Sequence, residues 1–142
     1  AVGLVQGGQL SEGVEMFERA LRAQRAVAGK ESADLVLPLS SLGNLLTKVG
    51  RAEEGERLLR EGYELSQRAL EQGHPHRAVV SINFGNLLLD TKRFVEAMPL
   101  LLEALSGFEQ ALGPSHPNVG LAHLSLGNLY SNPANAEDRS KD

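Results

Sequence analysis

The triplet Gly-Asn-Leu occurs three times at a constant interval. It stands in LGNLL (Leu42 to Leu46), FGNLL (Phe84 to Leu88) and LGNLY (Leu126 to Tyr130), with glycines at 43, 85 and 127 and so a period of 42 residues. A fixed period in the range of about 20 to 50 residues marks a stacked repeat, in which each unit buries its apolar face only against its neighbours. The same offset relates KVGRAEEGERLLREG (48–62) to DTKRFVEAMPLLLEA (90–104), with Arg51/Arg93, Glu54/Glu96, Leu58/Leu100, Leu59/Leu101 and Glu61/Glu103 shared. It also relates Ala69-Leu70 to Ala111-Leu112 and His74-Pro75 to His116-Pro117, and it carries GQLSEGVEMF (8–17) onto GRAEEGERLL (50–59). Many identities at one offset fix the register of the whole chain.

Each unit reads as two helices. Leu35, Leu39, Leu42, Leu46 and Val49 step by the threes and fours of one helical face. Gly50-Arg51 breaks that pattern in a short turn. Leu58, Leu59, Leu65, Ala69 and Leu70 continue on a second helix whose first turn holds Glu53, Glu54 and Glu56, acids that suit the positive end of the helix dipole. Pro75 and Pro117 fit the first helical position, where a missing N–H costs nothing. No Val/Ile/Thr alternation indicates strands. The pattern predicts helices near 10–28, 34–49, 52–72, 75–91, 94–112 and 117–131, a turn at QGGQ (6–9), and mild kinks rather than breaks at Pro38 and Pro99.

Gly43, Gly85 and Gly127 fall mid-helix, where glycine costs about 1 kcal/mol relative to alanine. A cost taken at one place in every unit implies that the partner helix approaches too closely for a side chain. Small residues predicted on that partner agree: Gly13, Gly55 and Ala97, then Ala20, Gly62 and Ala104. Leu45 is expected to meet the neighbouring helix pair.

LGNLLTKVGRAEEGERLLREG and FGNLLLDTKRFVEAMPLLLEA resemble the tetratricopeptide repeat, with Leu-Gly, a large residue three on, a turn, then Glu-Ala and Ala in the second helix. The 42-residue period, the terminal His-Pro and the proline in EAMPLL (96–101) are similar to the long-helix variety found in kinesin light chains and related scaffolds. The resemblance implies an all-α, right-handed superhelical solenoid of antiparallel helix pairs over residues 1–131, with a partial unit at 1–30, units at 31–72 and 73–114, and a partial unit at 115–131. Gly55 and Gly62 depart from the usual Ala, and ESAD (31–34) replaces His-Pro. SNPANAEDRSKD contains Asn132-Pro133 as a breaker and Arg139 where Ala97 stands one unit earlier, so 132–142 is expected to be a polar flexible tail. Ala1 aligns with Gly43, halfway along a first helix, and no initiator Met is present, as expected of a processed chain or a piece of a longer one. An uncapped solenoid end exposes the face meant for the next repeat, which predicts either a longer parent or self-association through terminal helices; Leu126 is read as part of that exposed end.

First helices of such pairs line the concave surface. Asn44 is two residues from Leu42 and from Leu46, roughly 200° round the helix from the core stripe. It groups with Leu37, Ser41 and Lys48; the equivalents are Val79, Asn83, Asn86 and Asp90, then Leu121, Ser125, Asn128 and Asn132. An amide both donates and accepts, so Asn44, Asn86 and Asn128 could pair with a peptide backbone while alternate side chains reach Leu37, Val79 and Leu121. The resemblance implies the same contact, since Asn at this position meets peptide backbone in the family. Recurrence by duplication alone, with hydrogen bonding locally or to water, is the other reading. Lys48 is the one well-placed base and Asp90 offsets it, which disfavours a carboxylate clamp and favours a neutral or amphipathic segment, extended or helical.

The expected function is therefore a non-catalytic adaptor, scaffold or regulator that binds another protein; the alternative is a structural or self-associating segment of a longer repeat protein. The net charge of −4 offers no basic face for nucleic acid. There is no cysteine for a disulfide or thiolate metal site, and no apolar run approaches the roughly 18 residues of a membrane span. AVGLVQGGQL lacks the basic and apolar regions of a signal peptide, so a soluble intracellular chain, in the cytoplasm or an organelle, is the default. His74 and His116 beside helix-starting prolines read as caps, and His123 as a core-edge residue. No HExxH or P-loop appears, so neither cofactor nor metal is expected.

Overall fold

A computed structural model of the chain describes residues 2–135, with side chains from Gly8 onward. The helices are α1 (Val2–Ala28), α2 (Val36–Lys48), α3 (Ala52–Ala69), α4 (Pro75–Asp90), α5 (Phe94–Leu112) and α6 (Pro117–Ser131), and a single 3₁₀ turn at Ala33–Leu35 leads into α2. No strand occurs among the described residues. The protein is all-α, as its pattern predicts. Two compact units can be distinguished, Ala1–Ala69 and Leu70–Asp142, and each is built on one antiparallel helix pair with a further helix against it.

In the first unit α3 runs back along α2, so that Gly43 faces Leu59 and Gly55 while Thr47 also faces Gly55. A Cβ on Gly43 would stand 2.7 Å from Leu59 Cγ and 3.0 Å from the Gly55 carbonyl oxygen. A Cβ on Gly55 would stand 2.6 Å from the Gly43 carbonyl oxygen. The backbone of each glycine stands against the other, flanked by the Leu59 and Thr47 side chains, and this explains why Gly55 replaces the usual Ala. In the second unit a Cβ on Gly85 would lie 2.8 Å from Leu101 Cδ2, and one on Gly107 would lie 3.0 Å from Ala78 Cβ. Ala97 is fully buried there, so this pair accommodates one methyl that the first does not. Leu35, Leu39, Leu42, Leu46, Leu59 and Leu65 are buried in the first unit, and Ala78, Ile82, Phe84, Leu88, Leu101 and Phe108 in the second. Leu45 reaches α1, where its Cδ2 lies 3.3 Å from the position of a Cβ on Gly13.

The turns inside the two pairs share one geometry on different residues. The Arg51 N–H donates to Leu46 O at 2.8 Å and the Gly50 N–H to Thr47 O at 3.3 Å; Arg93 donates to Leu88 O at 2.8 Å and Lys92 to Leu89 O at 3.0 Å. This crossed pattern satisfies the last carbonyls of α2 and α4 and needs a left-handed residue just past each helix. Gly50 supplies it at φ +87°, and its repeat equivalent Lys92 is forced to +62°. Just beyond each turn an ion pair clips the start of the next helix: Arg51 to Glu54 at 2.6 Å and Arg93 to Glu96 at 3.0 Å. The hydrogen bond from Arg51 holds the Glu54 carboxyl below its ordinary range.

At the other ends, His74 and His116 precede Pro75 and Pro117, and their Nδ1 atoms accept from the N–H of His76 at 3.0 Å and of Asn118 at 3.1 Å. Both act as caps, as the sequence indicates. Pro38 falls in the first turn of α2, and α5 continues unbroken through Pro99.

Two local expectations change. Residues 6–9 do not turn; they lie inside α1. Glycine lowers helix propensity without removing an N–H, so the ladder runs on through both glycines with its backbone groups paired. Asn132-Pro133 breaks α6 after Ser131, as expected, and also starts a further helical turn: the Asn132 side chain accepts from the Ala134 N–H at 3.0 Å, residues 133–135 are helical, and Asn135 is buried with its amide donating to Leu129 O at 3.1 Å. Proline at the first helical position behind an Asn cap is a start signal, as at His74-Pro75. Arg139 and the rest of the expected tail, 136–142, lie outside the described residues.

Gly43→Ala and Gly55→Ala should each lower stability by about 1–3 kcal/mol in urea melts, because a Cβ would meet the buried Leu59 Cγ and the Gly55 carbonyl in one case and the Gly43 carbonyl in the other. Gly127→Ala, with nothing within 4 Å among the described residues, should instead raise it by up to ~1 kcal/mol through helix propensity. Lys92→Gly should stabilise the second unit by about 1 kcal/mol, since the left-handed conformation no longer opposes a Cβ.

Candidate functional site

Each recurrent Asn follows a repeat glycine and so lies about 100° round its helix from it. Asn44 on α2 and Asn86 on α4 are half-buried and Asn128 on α6 is exposed. Main-chain oxygens of two of them are engaged, by Thr47 Oγ1 at 2.6 Å on Asn44 and by Ser131 Oγ at 3.4 Å on Asn128. Among the described residues, the three side-chain amides themselves form no hydrogen bond. Local pairing therefore does not account for their recurrence.

The flanking positions are less uniform than the repeat alone implies. Leu37 and Val79 are half-buried, and Leu121 is 53% exposed. Ser41, Lys48 and Asp90 are exposed. Asn83 is half-buried and engaged with a neighbour. Ser125 is buried, because it shares the stripe of Ala122, Leu126 and Leu129 at helical spacing. Asn86, Asn83 and Val79 on α4 and Asn128 and Leu121 on α6 belong to the second unit, where these two helices touch. Asn44, Leu37, Ser41 and Lys48 form the corresponding set on the first unit. Leu126, read from the sequence as an exposed end residue, is 6% exposed; the exposed apolar residues of α6 are Leu121, Leu124 and Tyr130.

Two cavities lie elsewhere. One, of about 370 Å³ in the first unit, has Leu21, Leu42, Leu46 and Leu58 as its floor and alternating acids and arginines from α1 and α3 as its rim, with Arg25 paired to Glu61 across it. The other, of about 210 Å³ in the second unit, is lined by Gln72, His74, Arg77, Glu103, Ser106 and Gln110. There Arg77 Nη1 donates to Leu70 O at 3.2 Å and its other nitrogen lies 3.9 Å from Glu103. Sequence reasoning did not find these clefts, although the recurrence of Glu61 and Glu103 was the available signal: each carboxylate faces an arginine. Among the described residues no group of three or more His, Asp or Glu is arranged to hold a metal, and no helix is long and apolar enough to cross a membrane.

The repeated antiparallel helix pairs define a helical-repeat protein. The family model of the tetratricopeptide repeat matches residues 34–110, more than half of the chain, and the chain belongs to that family. Its members are in general protein–protein interaction modules. No curated protein matches the chain.

His76 stands 4.6 Å from His74, ring to ring. Burial, and to a lesser degree His74, pushes the His76 pKa down. Below the ordinary histidine value of about 6.5 the unfolded chain takes up this proton before the folded one does. Stability is therefore expected to fall as pH drops from about 6.5 through the lowered value, and to be indifferent to His76 above it. His76→Gln should flatten that part of a Tm-against-pH curve.

Proposed function

We propose that the chain is a non-catalytic binding module that takes a segment of a partner protein, extended or an amphipathic helix, along the face carrying Asn86 and Asn128, with Asn44 making the equivalent contact on the first unit. The observation that carries this reading is the contrast inside each Gly-Asn pair. Helix packing uses Gly43 and Gly85 fully, whereas the adjacent amides have no partner of their own. An unpaired amide can donate to a peptide carbonyl and accept from a peptide N–H at once. Leu121 and Val79 offer apolar contact for the side chains between. With Lys48 and Asp90 of opposite sign, the surface suits a neutral segment better than an acidic tail. Such a module acts as an adaptor, scaffold or regulator in a soluble intracellular setting. A second reading, self-association as a structural solenoid segment, draws on the uncovered face of α6.

The double change Asn86→Ala/Asn128→Ala tests the groove. Affinity capture from the native source, read by quantitative mass spectrometry, should lose the partner that the unaltered chain retains. Two hydrogen-bonding amides at about 1–1.5 kcal/mol each correspond to roughly 30- to 150-fold in Kd. Helicity and melting should be unchanged, and undiminished capture would show that the amides do not bind.

A further inference from the structure

The arginines of the first unit fall into two groups. Arg19, Arg25, Arg51, Arg60 and Arg68 are each paired with a glutamate, respectively Glu15, Glu61, Glu54, Glu56 and Glu31. Arg22 and Arg57 make no hydrogen bond or ion pair among the described residues, and both line the cleft of about 370 Å³ between α1 and α3. The acids around them are drawn elsewhere. Arg25 holds Glu61, while Arg51 donates twice to Glu54 and also feels the Glu18 charge; Arg57 acts on Glu54 through space alone. Arg25 contributes a further donor, since its Nε is buried without a hydrogen-bond partner among the described residues. Leu58 is half-buried at the same cleft, beside the buried Leu21, Leu42 and Leu46. Packing does not demand these cations. At the register of Arg57 the second unit has Pro99, and at that of Arg22 stand Glu64 and Ser106, whereas Glu54, Leu58 and Glu61 recur as Glu96, Leu100 and Glu103.

We propose that this cleft is a second docking site, for an acidic segment of a partner protein. One carboxylate side chain of the segment lies between Arg22 and Arg57 and accepts from both guanidinium groups, and an aliphatic neighbour rests on Leu58. The arginine fork matches the two oxygens of a carboxylate, and charge-assisted hydrogen bonds of this kind are the strong ones. Arg22 and Arg57 have no ion pair of their own to give up, so the incoming acid displaces nothing. The site uses other side chains than the amide face and takes an acidic rather than a neutral segment, so the two readings stand or fall separately.

Titration of the isotopically labelled 142-residue chain with the acetylated, amidated peptide Leu-Glu-Leu tests it, read by NMR of arginine Nε–H and leucine methyl groups. The Nε–H signals of Arg22, Arg25 and Arg57 and the methyl signals of Leu58 should move together and saturate. Leu-Gln-Leu, which keeps the shape and loses the charge, should bind about tenfold more weakly or worse. The double change Arg22→Gln/Arg57→Gln, at two exposed positions, should lose about tenfold for Leu-Glu-Leu with an unchanged circular dichroism spectrum. Asn86→Ala/Asn128→Ala should bind it as the unaltered chain does. Signals that Leu-Glu-Leu leaves unmoved, equal binding of Leu-Gln-Leu, undiminished binding by the arginine variant, or loss of binding in the asparagine variant would each overturn the proposal.

Discussion

The fold depends on how closely two helix backbones can approach. With no side chain at Gly43 or Gly55, the carbonyl oxygen of each lies where the other's Cβ would be, at 3.0 and 2.6 Å. Contact of this kind has a single register, since a slip of one residue brings a side chain such as Leu42 or Glu54 against backbone. It therefore fixes which residues of α2 turn away from α3, and Asn44, next in sequence to Gly43, is one of them. The Gly-Asn sequence couples packing to display. The second unit reaches the same result with a different inventory, a leucine seated over Gly85 and a methyl at Ala97.

The helix pairs were legible in the sequence because packing, turns and caps leave periodic marks. The buried Leu35, Leu39, Leu42 and Leu46 were visible in their spacing, and the capping roles of His74 and His116 in their place before proline. What the sequence hid were features that depend on competition between neighbours. QGGQ carries two glycines, which favour a turn locally, yet the backbone ladder of α1 runs through them. Asn132-Pro133 has two meanings, stop and start, and both hold: α6 ends at Ser131, and the Ala134 N–H donates to the Asn132 side chain at the turn that follows. Lys92 shows the same limit from another side: nothing in a lysine announces a positive φ, and only its alignment with Gly50 reveals it.

The candidate site was legible to a smaller degree. Asn44, Asn86 and Asn128 were singled out from their angle on the helix; Asn44 and Asn86 are half-buried and Asn128 is exposed. Ser125 was not, because a small hydroxyl at the edge of a stripe is as easily buried as displayed, and burial follows from Ala122 and Leu129 beside it. The paired charges of Arg25 with Glu61 and Arg77 with Glu103 escaped notice because the arginines are not repeat equivalents although the glutamates are. Duplication preserved one partner of each pair and left the other to be found independently.

The sequence of α6, PNVGLAHLSLGNLYS, contains no Asp, Glu, Lys or Arg. Counterions have no Asp, Glu, Lys or Arg charge on this helix to screen, so contacts made through it depend on apolar area, shape and neutral hydrogen bonds. Ordinary salt should leave them unaffected, while excluded solutes such as sulfate should strengthen them. The clipped Arg–Glu pairs at the starts of α3 and α5 respond to ionic strength in the opposite way. Two kinds of surface on one small chain thus answer to different features of the surrounding solution.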